Sequence, residues 1–600
     1  MTDRSRARCL RQELSWEVEG TFGGRDMISR RGFLQSGFGA LAVGLMRPGL
    51  GGRTVDSSET LPLLESRPVA PLPFRPPSIM IDGMPFAPGY TGDDFSNTSI
   101  PFHTPENQFP DGLPTPTEEV DVAIVGGGLS GLATALLLKR FRPVVFELHP
   151  RFGGNSQGES WAGTSLSLGG AYFITPDSGS FLDRFYRRLG LHRAARVDTG
   201  DNPVELNGQV VNGFWDGAGR PAHEVLAFRR YAEIVRHYAE VAYPEIPLLQ
   251  GEDNAWILEL DRITLRDDIE RKMGGLPIPP LLAGAIQGYC YSSFGVGWER
   301  ISAASGWNFV AAEEFGRWVL PGGNSYMVDA MWRELALMER PHGSPAELLR
   351  PRSMVVDVRV VPGGRVQVTY ADPHGTPRGL YARRVVMANS KHIVRHMLHD
   401  LRALDYEKYN AMSQIETAAY LVANVLIDAP FSSASYDTFF LRDGNFPMSD
   451  GEAGTNPRFI DSVNGAFAGP NVPRTGLTLY WPLPWGSARF SLIEEEGWQN
   501  YAEHAAADIR AALPVLGFAA RDVIQVRLTR WGHAMPIAAP NLIAGGVIEH
   551  VRRPFEGLVY FVNQDNWALP AVENSLLEAE HFAGQIAREL HRRSQSRERR

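Results

Sequence analysis

The apolar positions of this chain change period several times, and each change marks an element. Residues 121–125 are a short apolar run with the length of a buried strand. Residues 132–138 are apolar enough to lay a helix on a sheet, and 144–146 form a second short strand that ends at Glu147. Further on, 227–243 carries apolar residues at helical spacing, and the turn Pro321-Gly322-Gly323-Asn324 opens a helix predicted to run to about Leu337, with Asn324 a candidate N-cap. Residues 355–360, 365–370 and 381–387 read as strands, the first two joined by a hairpin at Pro362-Gly363-Gly364. An apolar strand at 557–562 precedes a last helix predicted from Pro570 to about Leu590, because proline suits a first helical turn. Residues 51–118 follow neither period and are rich in Pro, Ser, Thr and Gly, which predicts an extended arm with little regular structure.

Between the first two strands stands Gly126-x-Gly128-x-x-Gly131. Strand, glycine turn, helix, strand and a terminal acid form the unit that binds a dinucleotide. Gly126 permits the tight turn, Gly128 lets the backbone approach a pyrophosphate, and Gly131 lets helix and strand pack closely. The amides of Leu129 and Ser130 lie at the helix N-terminus, which offers free N–H groups and partial positive charge to phosphates. Glu147 follows Gly126 by 21 residues, placed to accept from a ribose diol.

Composition narrows the partners. The 600 residues are enough for two or more domains; 44% are hydrophobic and 21% charged, as in ordinary globular proteins. A net charge of −9 gives no reason to expect nucleic acid. The two cysteines, Cys9 and Cys290, supply neither a disulfide framework nor a metal site, so no metal is expected. Only Lys139, Lys272, Lys391 and Lys408 are available for lysine chemistry. Ser29-Arg30-Arg31-Gly32-Phe33-Leu34 resembles a bacterial twin-arginine export signal; the short apolar stretch after it cannot span a bilayer. Periplasmic or otherwise exported location without an integral membrane span is therefore expected.

Arg151-Phe152-Gly153-Gly154-Asn155, following the acid, resembles the second signature of the flavin amine oxidase and phytoene desaturase superfamily. So do Leu168-Gly169-Gly170-Ala171-Tyr172-Phe173, the Pro321–Asn324 turn and the closing Asn563-Gln564-Asp565 with Pro570–Ser575. The strings 149–155, 320–324, 404–427 and 563–565 are most similar to bacterial spermidine dehydrogenase-like flavoproteins. The resemblance implies an α/β fold, in which a Rossmann-like FAD-binding domain with a parallel sheet and β-meander is interleaved with an α+β substrate domain. The implied division is a signal region at 1–50, the arm at 51–118, FAD-binding parts at 119–194, 346–399 and 531–592, substrate parts at 195–345 and 400–530, and a basic tail at 593–600. It implies non-covalent FAD, held by Gly126, Gly128, Leu129, Ser130, Gly131, Glu147, Arg151, Gly153, Gly154, Asn155, Asp565 and Val572.

The same resemblance implies an oxidoreductase that takes a hydride from an amine, polyamine-like, to flavin N5, and passes electrons to oxygen, a quinone or a cytochrome. Trp567, Trp481, Tyr172 and Trp161 are candidates for an aromatic slot around the amine, and Glu159 and Glu314 for a distal carboxylate. Two alternatives stay open: a desaturase or isomerase of an apolar substrate, and a flavoprotein without catalysis.

Overall fold

The computed structural model describes residues 64–94, 109 and 112–598, apart from 200–202, 340–346, 432–434, 450–451, 453–457, 470–471, 485, 487 and 494. The export motif with Arg30 and Arg31, and Cys9, lie outside the described residues. No helix among those described is long and apolar enough to cross a membrane.

Strand Glu118–Val125 lies inside a seven-stranded sheet. It pairs in parallel with Val144–Phe146 on one side and with Pro377–Met387 on the other. Leu349–Arg350 extends the parallel set, and Val559–Phe561 pairs in parallel with residues 385–387. The first half of Pro377–Met387 turns instead to Arg365–Ala371, which pairs with Met354–Val361, so one long strand serves both the parallel sheet and an antiparallel meander. The central strands are buried on both faces, as parallel strands covered by helices must be. Helices Leu129–Leu137, Ser325–Ala336 and Val572–Glu598 cover one face through a shared apolar cluster. Pro570 falls two residues short of the last helix rather than in its first turn, because Ala568 adopts a positive φ of 48° and the Ala571 amide closes onto the Leu569 carbonyl.

The second sheet has nine strands, and its middle runs Asp437–Arg442, Asp461–Asn464, Thr475–Pro482, Thr417–Ile427 and Val523–Pro536. One of its faces packs on helix Glu495–Val515. The arm is more regular than its composition predicts. Val69–Pro71 pairs in parallel with Gly158–Trp161, and Ile79–Ile81 with Met84–Gly92 forms a hairpin that covers the edge of Val523–Pro536. The Asp82-Gly83 turn, with φ of 47° and 74°, closes that hairpin. Pro85 and Pro88 fit because the hairpin lies at the sheet margin, where a missing N–H is tolerated.

Candidate active site

The glycine turn sits at the C-terminal edge of the parallel sheet and is built by close backbone approaches. Gly126 has a φ of 109°. A Cβ on Gly131 would stand 1.9 Å from the Gly126 carbonyl oxygen, so this position requires glycine. Gly153, with φ of 112°, bridges to Gly128, and its amide donates to the Gly127 carbonyl at 2.8 Å. The paired glycines at 153–154 thus lie against the first glycine loop. A Cβ on Gly128 would meet the backbone of Gly154 only at 3.7 Å, so the fold itself leaves space there. No side chain caps the helix at Leu129–Leu137, whose buried Ser130 spends its carbonyl on the Thr134 hydroxyl. Glu147 receives the Gly127 amide on Oε2 at 2.9 Å and the His149 amide on Oε1 at 2.8 Å. Each oxygen keeps a lone-pair site for a further donor. An uncapped helix end, a collar of glycines and a fixed acid fit a dinucleotide.

The other sequence-predicted cofactor residues divide. Asn155 and Val572 line a large cavity, and the Asn155 side chain donates to the Ala534 carbonyl at 2.9 Å. Arg151 turns its guanidinium to the Gly158 carbonyl. Asp565 is off the cavity wall: its Oδ2 accepts from the Ser390 hydroxyl and the Lys391 amide, both at 2.8 Å, which ties the closing turn to the end of Pro377–Met387.

The cavity, about 950 Å³, starts from Asn155, Gly169, Gly170 and Val572 and runs over the nine-stranded sheet. Its floor follows from the period of a strand, in which alternate residues share a face. Asp437 and Phe439, Asp461 and Val463, Tyr480, Tyr420 and Val422, and Trp531 all line it. The register sets Asp461 beside Tyr480, Tyr480 beside Val422, and Tyr420 beside Trp531. The intervening residues, among them Phe440, Leu479, Trp481 and Leu421, belong to the apolar cluster on the opposite face. The phenols on this wall are tied down: Tyr480 donates to the Gly169 carbonyl at 2.7 Å and Tyr172 to Glu313 at 2.8 Å. Burial pushes the Tyr172, Tyr420 and Tyr480 phenols well up, so they stand as neutral hydroxyls.

Arg317, on strand Arg317–Val319, is the buried cation of the floor. It donates to Asp437 at 2.9 Å and to Asp198, lies 3.5 Å from Glu313, and stacks over Tyr172 at 4.8 Å. Asp437 and Asp461 are both pushed up, chiefly by burial; Asp437 reaches about 6 against the pull of Arg317, and the charge of Asp437 raises Asp461 further.

Of the predicted substrate-slot residues, Tyr172 and Trp567 reach the cavity and the others do not. Trp567 donates its indole N–H to Glu578 at 3.0 Å, and one face of its ring is already covered by the Arg552 guanidinium at 4.6 Å. Trp481 is corrected to a core residue: it stands edge-on to Phe459 and Tyr501, and its neighbour Tyr480 takes the wall. Trp161 packs with Leu166 and Leu426. Glu159 is held by a bidentate pair with Arg527, and Glu313, one residue before Glu314, supplies the cavity carboxylate. The turn at 321–324 delivers Asn324 to the cavity; its side chain does not cap the helix, and its Oδ1 has no partner among the described residues. Arg317, Asp437, Asp461 and Trp531 were missed. Asp437 and Asp461 each open a short strand, Asp437–Arg442 and Asp461–Asn464, so no alternation within the strand marks them.

A family model described as an NAD(P)-binding Rossmann-like domain matches residues 124–189. Oxidoreductase PigB of Serratia sp. (strain ATCC 39006) is 24% identical over 547 residues, covering 83% of this chain and 79% of that protein. Among solved structures, cyclohexylamine oxidase from Brevibacterium oxydans IH-35A superposes with a TM-score of 0.57 at 18% identity, over 79% of this chain and 99% of its own. Wild-type putrescine oxidase bound to putrescine gives a TM-score of 0.56 at 15% identity, over 79% of this chain and 100% of its own. The fold is thus shared with amine oxidases along most of the chain, and the sequence relative is an oxidoreductase.

Proposed function

We propose that the protein is an FAD-dependent oxidoreductase that oxidises an amine, polyamine-like in character. The observation that carries this reading is one cavity whose lining holds both the residues that would flank a flavin and a buried floor of phenols and carboxylates, with Glu313, Asp437 and Asp461 set around Arg317. Gly126, Gly128, Leu129, Ser130 and Gly131 would hold the diphosphate and Glu147 the ribose; Arg151, Gly153, Gly154, Asn155 and Val572 would hold the remainder, while Asp565 would act from behind the wall by fixing the closing turn to Ser390 and Lys391. When bound, FAD would supply the two-electron acceptor for the hydride that leaves the amine α-carbon.

The chain's own part is to bind, orient and exclude water. Tyr172, Tyr420, Tyr480 and Trp531 give an aromatic wall for the carbon chain of the amine. The acidic floor raises the local concentration of cationic amine. The N-terminus of the last helix, where Val572, Glu573 and Asn574 line the cavity, favours negative charge beside it. A desaturase of apolar substrates would want an apolar tunnel, and charged side chains in this wall weigh against that alternative.

Anaerobic mixing with a panel of mono-, di- and polyamines tests the reading. Bleaching of the flavin by an amine, and not by a polyene of carotenoid type, is the expected result. Bleaching only by the polyene, or by no donor at all, overturns it. Reoxidation by oxygen, a quinone or a cytochrome then assigns the acceptor. Export by the twin-arginine route is part of the proposal, supported by the motif at 29–34. Arg30→Lys with Arg31→Lys should leave flavin-loaded protein in the cytoplasm, and unchanged delivery would refute the signal.

A further inference from the structure

The second glycine signature is held from two sides. On one side it lies against the first glycine loop: the Gly153 amide donates to the Gly127 carbonyl at 2.8 Å, and a Cβ on Gly127 would run into the Phe152 ring. On the other side stands the start of the arm. The Phe152 amide donates to the Ser66 carbonyl at 3.0 Å, and the Gly158 amide to the Pro68 carbonyl at 3.1 Å. Val69, Ala70 and Pro71 then pair with Gly158, Glu159 and Ser160, and the Leu72 amide closes onto the Ser160 carbonyl at 2.8 Å. Ser66 is fully buried, and a Cβ on Gly153 would meet the Pro68 Cβ at 3.3 Å.

The arm itself has a narrow hold here. Val69–Pro71 is an edge strand of 3 residues in a three-stranded sheet. Its fastening is Arg67, which binds Asp329 through two hydrogen bonds, Nε to Oδ1 at 2.5 Å and Nη2 to Oδ2 at 2.8 Å. Such two-pronged pairs fix direction as well as distance. Asp329 is buried, also pairs with Arg333, and lies on helix Ser325–Ala336, which follows the cavity residue Asn324. Arg67 thus ties the arm, and through it the second glycine loop, to that helix. A cofactor enclosed between two loops leaves when one of them opens locally. The first glycine loop is continuous with a central strand and a buried helix, so the second loop is the side free to open, and the arm lies against it.

We propose that residues 66–72 form a latch on the cofactor loop, and that Arg67 and Asp329 are positioning residues that set how slowly FAD leaves. The proposal rests on the flavin-binding part of the proposed function and not on the identity of the electron donor. Coupling of this kind is reciprocal: if the docked arm retains FAD, then FAD must hold the arm docked.

The test uses the full-length, flavin-loaded protein and follows release of FAD on dilution by its fluorescence. Arg67→Ala should release FAD about threefold to thirtyfold faster than wild type. The variant should fold, because Arg67 is partly exposed and Asp329 keeps Arg333. Arg67→Lys, which keeps the charge and loses the two-pronged contact, should fall between the two. Arg359→Ala removes a similar two-pronged pair, with Asp357 on the meander, and should release FAD at the wild-type rate. Hydrogen exchange of the amides in 66–72 should be slower with FAD bound than without it. Release from Arg67→Ala at the wild-type rate overturns the latch, as does equal acceleration by Arg67→Ala and Arg359→Ala. So does exchange in 66–72 that is the same with and without FAD, a result that requires no variant to fold. In each of these cases the wild-type protein still binds FAD, and the flavin reading stands. Wild-type protein that takes up no FAD overturns that reading, and the latch with it.

Discussion

The two large sheets serve the site in opposite ways. The parallel sheet offers its end: its work is done by backbone amides, an uncapped helix and glycines whose missing Cβ atoms define the shape. The nine-stranded sheet offers a face, and its work is done by side chains at every second position. An end site depends on backbone shape and is indifferent to many side chains. A face site lies one residue of register away from hydrophobic core, because a slip of one exchanges the two faces.

Paired substitutions sharpen this contrast. The largest effect is expected at the face. Trp481→Ala should cost about 3–5 kcal/mol of stability by chemical denaturation, since it empties a buried site on the helix side. Its neighbour Tyr480→Phe should cost no more than about 1.5 kcal/mol and act mainly on amine turnover. If both act alike on stability and turnover, the assignment of faces is wrong.

At the sheet end, Gly131→Ala places a carbon 1.9 Å from the Gly126 carbonyl and should cost about 1–3 kcal/mol together with flavin retention. Gly128→Ala meets only ordinary contacts in the protein, the nearest at 3.7 Å, so it should fold normally and lose affinity for FAD alone. A Gly128→Ala protein that loads flavin as wild type would remove the diphosphate from this loop.

A smaller effect is expected from pH. Asp437 is pushed up from an ordinary 3.8 to about 6, so the empty folded protein holds a proton there that the unfolded chain has released. Its contribution to stability is therefore full below about pH 4 and is lost as pH rises through about 6. The melting temperature should fall across that window relative to Asp437→Asn. A wild-type and variant pair with parallel pH profiles would refute this. The smallest effect is Trp567→Phe, which removes the hydrogen bond to Glu578 and should cost about 1 kcal/mol while flavin stays bound.

The same contrast explains what could be read from the chain. The glycine unit and the acid after it are legible because they demand particular residue types at fixed spacing. Trp481 is legible in the chain as an aromatic candidate, but the phase of the strand that holds it and Tyr480 is not. Strands such as Thr417–Ile427 are buried along their whole length, so no alternation of polar and apolar residues marks which side faces the cavity. Trp481 for Tyr480, and Glu314 for Glu313, are both misses by one position. Arg317 comes from a three-residue strand that no periodicity could reveal. Asp565 was legible as an acid in the closing turn, but its partners, Ser390 and Lys391, are distant in sequence.

The hairpin from the arm has a consequence for how the molecule is made. Thr91 and Thr529 share a hydroxyl hydrogen bond across 438 positions of chain. During synthesis the hairpin emerges early and must wait for its partner strand until most of the polypeptide has left the ribosome. A two-stranded ribbon is marginal alone in water, so it spends that interval unpaired. Its docking on Val523–Pro536 cannot precede the synthesis of that strand, and it covers one margin of the sheet that carries the cavity, leaving Ile79–Ile81 as the outer strand there.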